Sequence, residues 1–203
     1  MSSDKQTKEK LLQAARQEFL EKGYQNASLR SICKESGVTT GALYFFFQDK
    51  NDLFRELVEA PLQKLIAVME EHFRDELQEI LVENSIKENT DEDYSKAKAV
   101  IEIIYDHFDA FDLLLLKSEG SAYEKMKDQF VNVAEKHYRS MADMTSEVKQ
   151  CRRVDDYMIH WISHLQVSTF AQLIEHRVPR QDAMLQMENM IKFVLNGWVG
   201  MFY

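Results

Sequence analysis

The sequence predicts an all-α fold, and three observations carry that expectation. The 203 residues include only 2 Pro and 6 Gly, too few for the many tight turns of an all-β chain. Apolar residues recur three and four apart along most of the length, the period of one helix face. Residues 28–50, SLRSICKESGVTTGALYFFFQDK, read as two short helices joined by a tight turn, followed by the start of a third. About nine helices are expected, in an N-terminal helix–turn–helix part, residues 1–48, and a C-terminal helical part, residues 49–203.

Residues 1–6 read as disordered. Thr7 can cap a first helix whose inward face is Leu11, Ala15 and Phe19, with Leu12 alongside, and Gly23 closes it. Ser28 suits the N-cap of the second helix, where its hydroxyl would accept from an orphan N–H. Leu29, Ile32 and Cys33 lie on one face of that helix. Gly37 stands where a left-handed C′ residue is wanted, and Val38 plugs the turn. Thr39 or Thr40 can cap the third helix, which carries Leu43 and Phe47 inward. Asp49 can cap a long fourth helix running from Leu53 to Ile80, with Asp52 in its first turn suiting the helix dipole. Pro61 falls inside it and is expected to kink or break it.

Beyond that helix, residues 83–93 read as a polar loop. Tyr94 to Phe108 make an amphipathic helix. Phe111 to Leu116 form a short apolar helix, broken at Gly120 and Ser121. Another helix runs from Tyr123 to Met141, and residues 142–153 look polar and irregular. A long helix starts near Asp155 and passes Tyr157, Trp161, Leu165 and Ile174 before Val178 and Pro179 end it. The last helix carries Met184, Met187, Ile191, Val194, Trp198 and Phe202.

Composition narrows the function classes. Hydrophobics at 45% and charged residues at 29% describe a soluble globular chain. No run approaches a membrane span, and the N-terminus has no apolar signal core, so a cytoplasmic protein is expected. Cys33 and Cys151 read as two free thiols. Asn26-Ala27-Ser28 matches a glycosylation acceptor, set aside for want of a secretion signal. The net charge is −9, but its distribution matters more. Residues 1–50 hold 8 Lys and Arg against 6 Asp and Glu; the rest holds 17 against 28. The acid lies away from the N-terminal part, whose affinity for a polyanion would be modest and salt-sensitive.

A support helix, a glycine turn and a recognition helix are the grammar of helix–turn–helix DNA binding. The stretch GVTTGALYFFFQDKNDL also resembles the signature of the TetR family of one-component transcriptional regulators. Gly37, Val38, Leu43, Tyr44, Phe46, Phe47, Lys50 and Leu53 fall on that pattern, and the resemblance covers roughly residues 7–55. It departs at Phe45, where the family often carries a polar or basic residue.

In such a head the N-terminal part of the recognition helix faces base edges. Thr39, Thr40, Gly41 and Ala42 are small enough for close approach, with Phe45 beside them. Tyr44, Lys50, Ser28 and Arg30 are candidates for phosphate contacts, which position without specifying. The resemblance further implies a palindromic double-stranded operator, a homodimer built through the last two helices, and a small-molecule effector. Trp161 and Trp198 lie on apolar stripes of those two helices; the stripes would face either a second copy or the chain's own core. Tyr105, Phe108, Phe111, Tyr123, Met126, Phe130 and Trp161 are the candidate effector-binding set, suiting a lipophilic or aromatic ligand, with plain core packing the competing account. Acidic residues nearby would also admit a cationic ligand.

His160 and His164 are four apart, a possible metal spacing, but packing or interface histidines are the simpler reading, so neither metal nor cofactor is expected. No enzyme is expected either: there is no phosphate-cradling glycine loop, GxSxG or HExxH, and the SxxK match at Ser31 and Lys34 is attributed to chance. The function implied is repression relieved by an effector that shifts the dimer between two geometries, transmitted by the fourth helix and flexing at Pro61. Two alternatives stay open. One is a dimeric DNA-binding regulator without a small ligand, constitutive or controlled by a protein partner. The other is a helical interaction module that no longer binds DNA.

Overall fold

A computed structural model of the chain describes residues 3–83 and 90–202. The described residues form nine α-helices and no strand: α1 (Ser3–Asn26), α2 (Leu29–Ser36), α3 (Thr40–Phe46), α4 (Lys50–Glu83), α5 (Thr90–Asp106), α6 (Phe108–Leu116), α7 (Met126–Lys149), α8 (Asp156–Glu175) and α9 (Arg180–Gly200). They divide into two compact units, Met1–Gln63 with His107–Met126 and Lys64–Asp106 with Lys127–Tyr203.

The first unit holds α1 to α3, the start of α4, and α6. Leu11, Ala15 and Phe19 are fully buried, as their spacing on α1 predicts. Phe19 meets Phe54 edge-on at 5.1 Å and stacks on Tyr24 at 5.8 Å. Against α1 pack α2, α3 and α6, the last contributing the buried Phe111, Leu113 and Leu114. The backbone is stitched across as well. Tyr24 N–H donates to the Lys117 carbonyl at 2.8 Å, Ala122 N–H donates to Asn51 Oδ1 at 3.1 Å, and the Tyr123 hydroxyl donates to Glu59. The helix α1 starts at Ser3, so residues 3–6, expected to be disordered, are helical; Asp4 in the first turn suits the dipole. Its straight run ends at Gly23, with φ 72° and ψ 163°.

Asp49 caps α4 as its position suggests: Asp52 N–H donates to Asp49 Oδ1 at 2.8 Å. The helix then continues for 34 residues and is unbroken at Pro61. Pro61 removes the bond that would run to Leu57, yet the rod does not break there. Buried Leu57, Val58, Leu62 and Leu65 anchor it on either side. The division between the two units falls at Gln63, two residues beyond the proline.

The second unit holds the rest of α4 with α5, α7, α8 and α9. One core gathers Ile101, Leu173, Ala183 and Met187. The other gathers Ala134, Tyr138, Met141, Ala142, Val154, Ile159, Trp198 and Phe202. Trp198 is only 5% exposed, its ring 5.5 Å from both Tyr138 and Phe202. It is therefore core, and of the two readings left open for the tryptophan stripes the intramolecular one holds for this residue.

Other boundaries also differ from expectation. Residues 142–149, which looked irregular, continue α7, because Ala142, Thr145 and Ser146 turn into the core. The helix stops at Gln150, which takes φ 52° in place of the usual glycine. Phe108 begins α6 rather than ending α5, since His107 leaves the helical region and its carbonyl accepts from Ala110 and Phe111. Of the expected loop 83–93, residue 83 closes α4 and 90–93 open α5; residues 84–89 lie outside the described residues.

Candidate nucleic-acid interface

The reading head is built from what is buried. Ile32 and Cys33 fix α2 to the core. Gly37 then turns the chain with φ 66° and ψ 22°, a left-handed conformation that costs other residues about 1 kcal/mol or more. Its C-cap bonds run from Gly37 N–H to the Lys34 carbonyl at 3.3 Å and from Val38 N–H to the Cys33 carbonyl at 3.0 Å. The next helix starts cleanly, because Thr39 Oγ1 accepts from Ala42 N–H at 3.2 Å. Leu43 and Phe47 are buried and pin α3 from below. The other side is open. Thr39, Thr40 and Gly41 are exposed and Ala42 is half-buried; Tyr44 is 55% and Phe45 76% exposed. A Cβ at Gly41 would meet nothing within 4 Å. The result is a low, small-residue platform flanked by two aromatic rings, with Ser28, Arg30 and Lys34 exposed on α2 and its cap.

One organising residue has no place among the candidates. Glu18 is buried on α1 and holds α2 by its N-terminus. Its Oε1 accepts from Ser28 N–H at 3.1 Å and its Oε2 from the Ser31 hydroxyl at 2.9 Å. Lys22 Nζ donates to both oxygens, at 2.8 and 2.9 Å. Burial raises the Glu18 pKa, but the hydrogen bonds from Lys22, Ser28 and Ser31, with the Lys22 charge, outweigh it and leave the carboxyl below its ordinary value. Its sign in the sequence is a carboxylate in register with Leu11 and Ala15 on the apolar face of α1. The hydroxyl of Ser28 makes no cap bond; Glu18 does that work from the neighbouring helix.

Lys50 is engaged within the chain. Expected at a phosphate, its ammonium turns inward and donates to the carbonyls of Tyr24, Gln25 and Ala27 at 2.7, 3.2 and 3.2 Å. It also sits 4.3 Å from the centre of the Tyr24 ring. Burial pulls its pKa below the ordinary lysine value. This lysine closes the carbonyl end of α1, where a positive charge meets the negative end of the helix dipole.

The candidate effector residues divide between the two units. Phe108, Phe111, Tyr123 and Met126 belong to the first, Tyr105, Phe130 and Trp161 to the second. Phe111, Met126 and Phe130 are buried, and Phe108 is half-buried. Both tyrosines have hydroxyl partners: Tyr123 donates to Glu59, and Tyr105 donates to the Val178 carbonyl at 2.7 Å. Burial raises both phenol pKa values. Trp161 is 64% exposed, its ring 6.5 Å from that of Tyr157, so it lines no interior of its unit. His160 and His164 lie with ring centres 4.4 Å apart, and His160 Nδ1 is 3.4 Å from Glu135 Oε2. Among the described residues no three His, Cys, Asp or Glu side chains are grouped to hold a metal.

With α3 held open beside α2, which is anchored by Ile32 and Cys33, the N-terminal part has the helix–turn–helix arrangement. Comparison with known proteins places it more narrowly. Residues 11–57 match the model for bacterial regulatory proteins of the tetR family, so this part of the chain carries a domain of the tetR type. It is similar to the HTH-type transcriptional repressor BepR of Brucella suis biovar 1 (strain 1330), 45% identical over 53 residues, 26% of this chain and 25% of that protein. It is similar also to the HTH-type transcriptional regulator UidR of Escherichia coli (strain K12), 31% identical over 103 residues, 48% of this chain and 50% of that one. The chain thus spans a quarter to a half of the length of these curated relatives. Two solved structures share its fold. One is a TerR/AcrR family regulator from Aquifex aeolicus VF5, at 21% identity and a TM-score of 0.57 over 93% of this chain and 99% of that one. The other is the TetR family regulator PfmR from Thermus thermophilus, at 17% identity and a TM-score of 0.58 over 89% of this chain and 96% of that one. Among the described residues no helix is long and apolar enough to cross a membrane.

Proposed function

We propose that the chain is a one-component transcriptional repressor that binds a palindromic operator as a homodimer and leaves it when a small lipophilic or aromatic effector binds. The observation that carries the reading is the open face of α3, with Thr39 to Gly41, Tyr44 and Phe45 presented to solvent while Leu43 and Phe47 hold the helix in place. Residues 1–48 are the reading part of this proposal, and residues 49–203 dimerise and sense. Dimerisation is supported by apolar side chains left exposed on the last two helices: Tyr157, Met158, Trp161 and Leu165 on α8, and Leu185 and Phe193 on α9. Two-fold symmetry would set two recognition helices about 34 Å apart, one turn of DNA. The effector would bind among the buried aromatics and act by its differential affinity for two dimer geometries.

The test is fluorescence anisotropy with the chain's own upstream DNA at two salt concentrations. The expected result is tight, palindrome-dependent binding that weakens with salt. Absence of duplex preference, persisting after denaturing and refolding to strip any ligand, refutes the operator at that site.

A further inference from the structure

We propose that Phe45 reads thymine: its ring covers the C5-methyl group of one thymine in each half-site, and this apolar contact sets the base preference of α3. The proposal rests on the DNA-binding reading above and adds what the head recognises.

The face of α3 is unusual in what it lacks. Between Thr39 and Phe47 there is no Arg, Lys, Asn, Gln, Asp or Glu. The side chains that fork onto guanine or adenine, or accept from cytosine, are therefore absent from the helix. The Thr39 hydroxyl is already engaged with Ala42 N–H, and a threonine hydroxyl pairs with donors and acceptors alike. Hydrogen bonding from this helix selects little.

Phe45 stands out against that background. It is the most exposed of the large apolar side chains among the described residues. Its ring is braced, with Phe46 edge-on at 5.0 Å and 87°, and Phe46 in turn lies 6.4 Å from the buried Phe47. Two torsions and a fixed neighbour make it a pre-positioned apolar probe. At the base edges of the major groove the apolar group is the thymine methyl. Thr40, Gly41 and Ala42 are small, so the backbone can come close enough for the ring to reach it. Exposed Arg30 and Lys34 on α2 supply charge for the phosphates, which position without specifying. A ring lying on deoxyribose instead would find the same surface at every step and confer no base preference.

The experiment starts from selection of duplexes out of a random-sequence library by the full-length chain. The selected duplex is rebuilt with deoxyuridine replacing each thymine in turn, which deletes one methyl and leaves pairing intact. We expect one symmetry-related thymine position whose replacement weakens wild-type binding about fourfold per half-site, the worth of one buried methyl. The same replacement leaves Phe45→Ala binding unchanged and costs Phe45→Leu an intermediate amount. Wild type binding both duplexes equally overturns the proposal, as does an undiminished deoxyuridine effect in Phe45→Ala. Loss of all duplex binding by both variants overturns it too, because a single methyl contact cannot carry the whole affinity. If the wild-type chain selects no duplex at all, the DNA-binding reading fails first and takes this one with it.

Discussion

Glu18 and Lys50 do the holding in this head, each by bonding to the end of a helix. A Glu18→Gln variant keeps the shape but loses the charge. Because the folded carboxyl lies below its ordinary value of 4.5, its contribution is complete above that pH and fades as pH falls through the folded value. The variant should therefore unfold more easily than wild type at pH 7, by roughly 2 kcal/mol for a buried charged hydrogen-bond acceptor. The gap should narrow as pH falls below 4.5 and through the lower folded value; urea melts at pH 7 and at a series of acid pH values check both halves. For Lys50→Met the expected loss of stability is also roughly 2 kcal/mol, while the slope of operator affinity against salt stays that of wild type. Arg30→Ala should do the opposite, sparing stability and flattening the slope by about one phosphate. Lys50 was legible as a charged residue at the right place in a motif. Its direction was not, since three carbonyls 23 to 26 residues earlier in the chain leave no mark on local spacing. Ser28 was misjudged for the same reason, its cap coming from a neighbouring helix.

Most elements could be read from their apolar spacing, and three of them from a capping residue as well. Asp49, Thr39 and Asp155 all accept at the N-termini where the sequence puts them. The misreadings came where tertiary burial overrode composition. The end of α7 looked polar because its buried face uses Thr145 and Ser146, and no glycine marked its stop. Gln150 at φ 52° provides a clean check: Gln150→Gly should stabilise the chain by about 1 kcal/mol, seen as a higher thermal midpoint with DNA binding untouched. On α4, Pro61 lies two residues before the units divide, where the proposed hinge would be. Pro61→Ala restores a backbone donor and should alter DNA affinity or effector response; wild-type behaviour in both would discard the hinge.

At the level of the whole molecule, basic and acidic residues nearly balance in the first fifty positions and acid prevails afterwards. That pattern favours presentation of the head to a polyanion by exclusion of the rest. The two tryptophans looked alike in sequence, each on an amphipathic stripe. Only packing separates them, Trp198 into a core and Trp161 into solvent. Trp161→Arg should accordingly halve the molecular mass seen by light scattering at micromolar concentration, with its helix content preserved by circular dichroism. A mass unchanged from wild type would remove α8 from the proposed interface.

The helix α6 and the turn after it belong to the same compact unit as α1 to α3, tied in through Lys117, Ala122, Tyr123 and the buried Phe111. The compact unit that holds α1 to α3 is thus discontinuous along the chain. An engineer who grafts residues 1–48 onto a foreign sensor leaves behind α6 and uncovers the side of α1 that it shields. A working graft has to carry residues 107–126 as well.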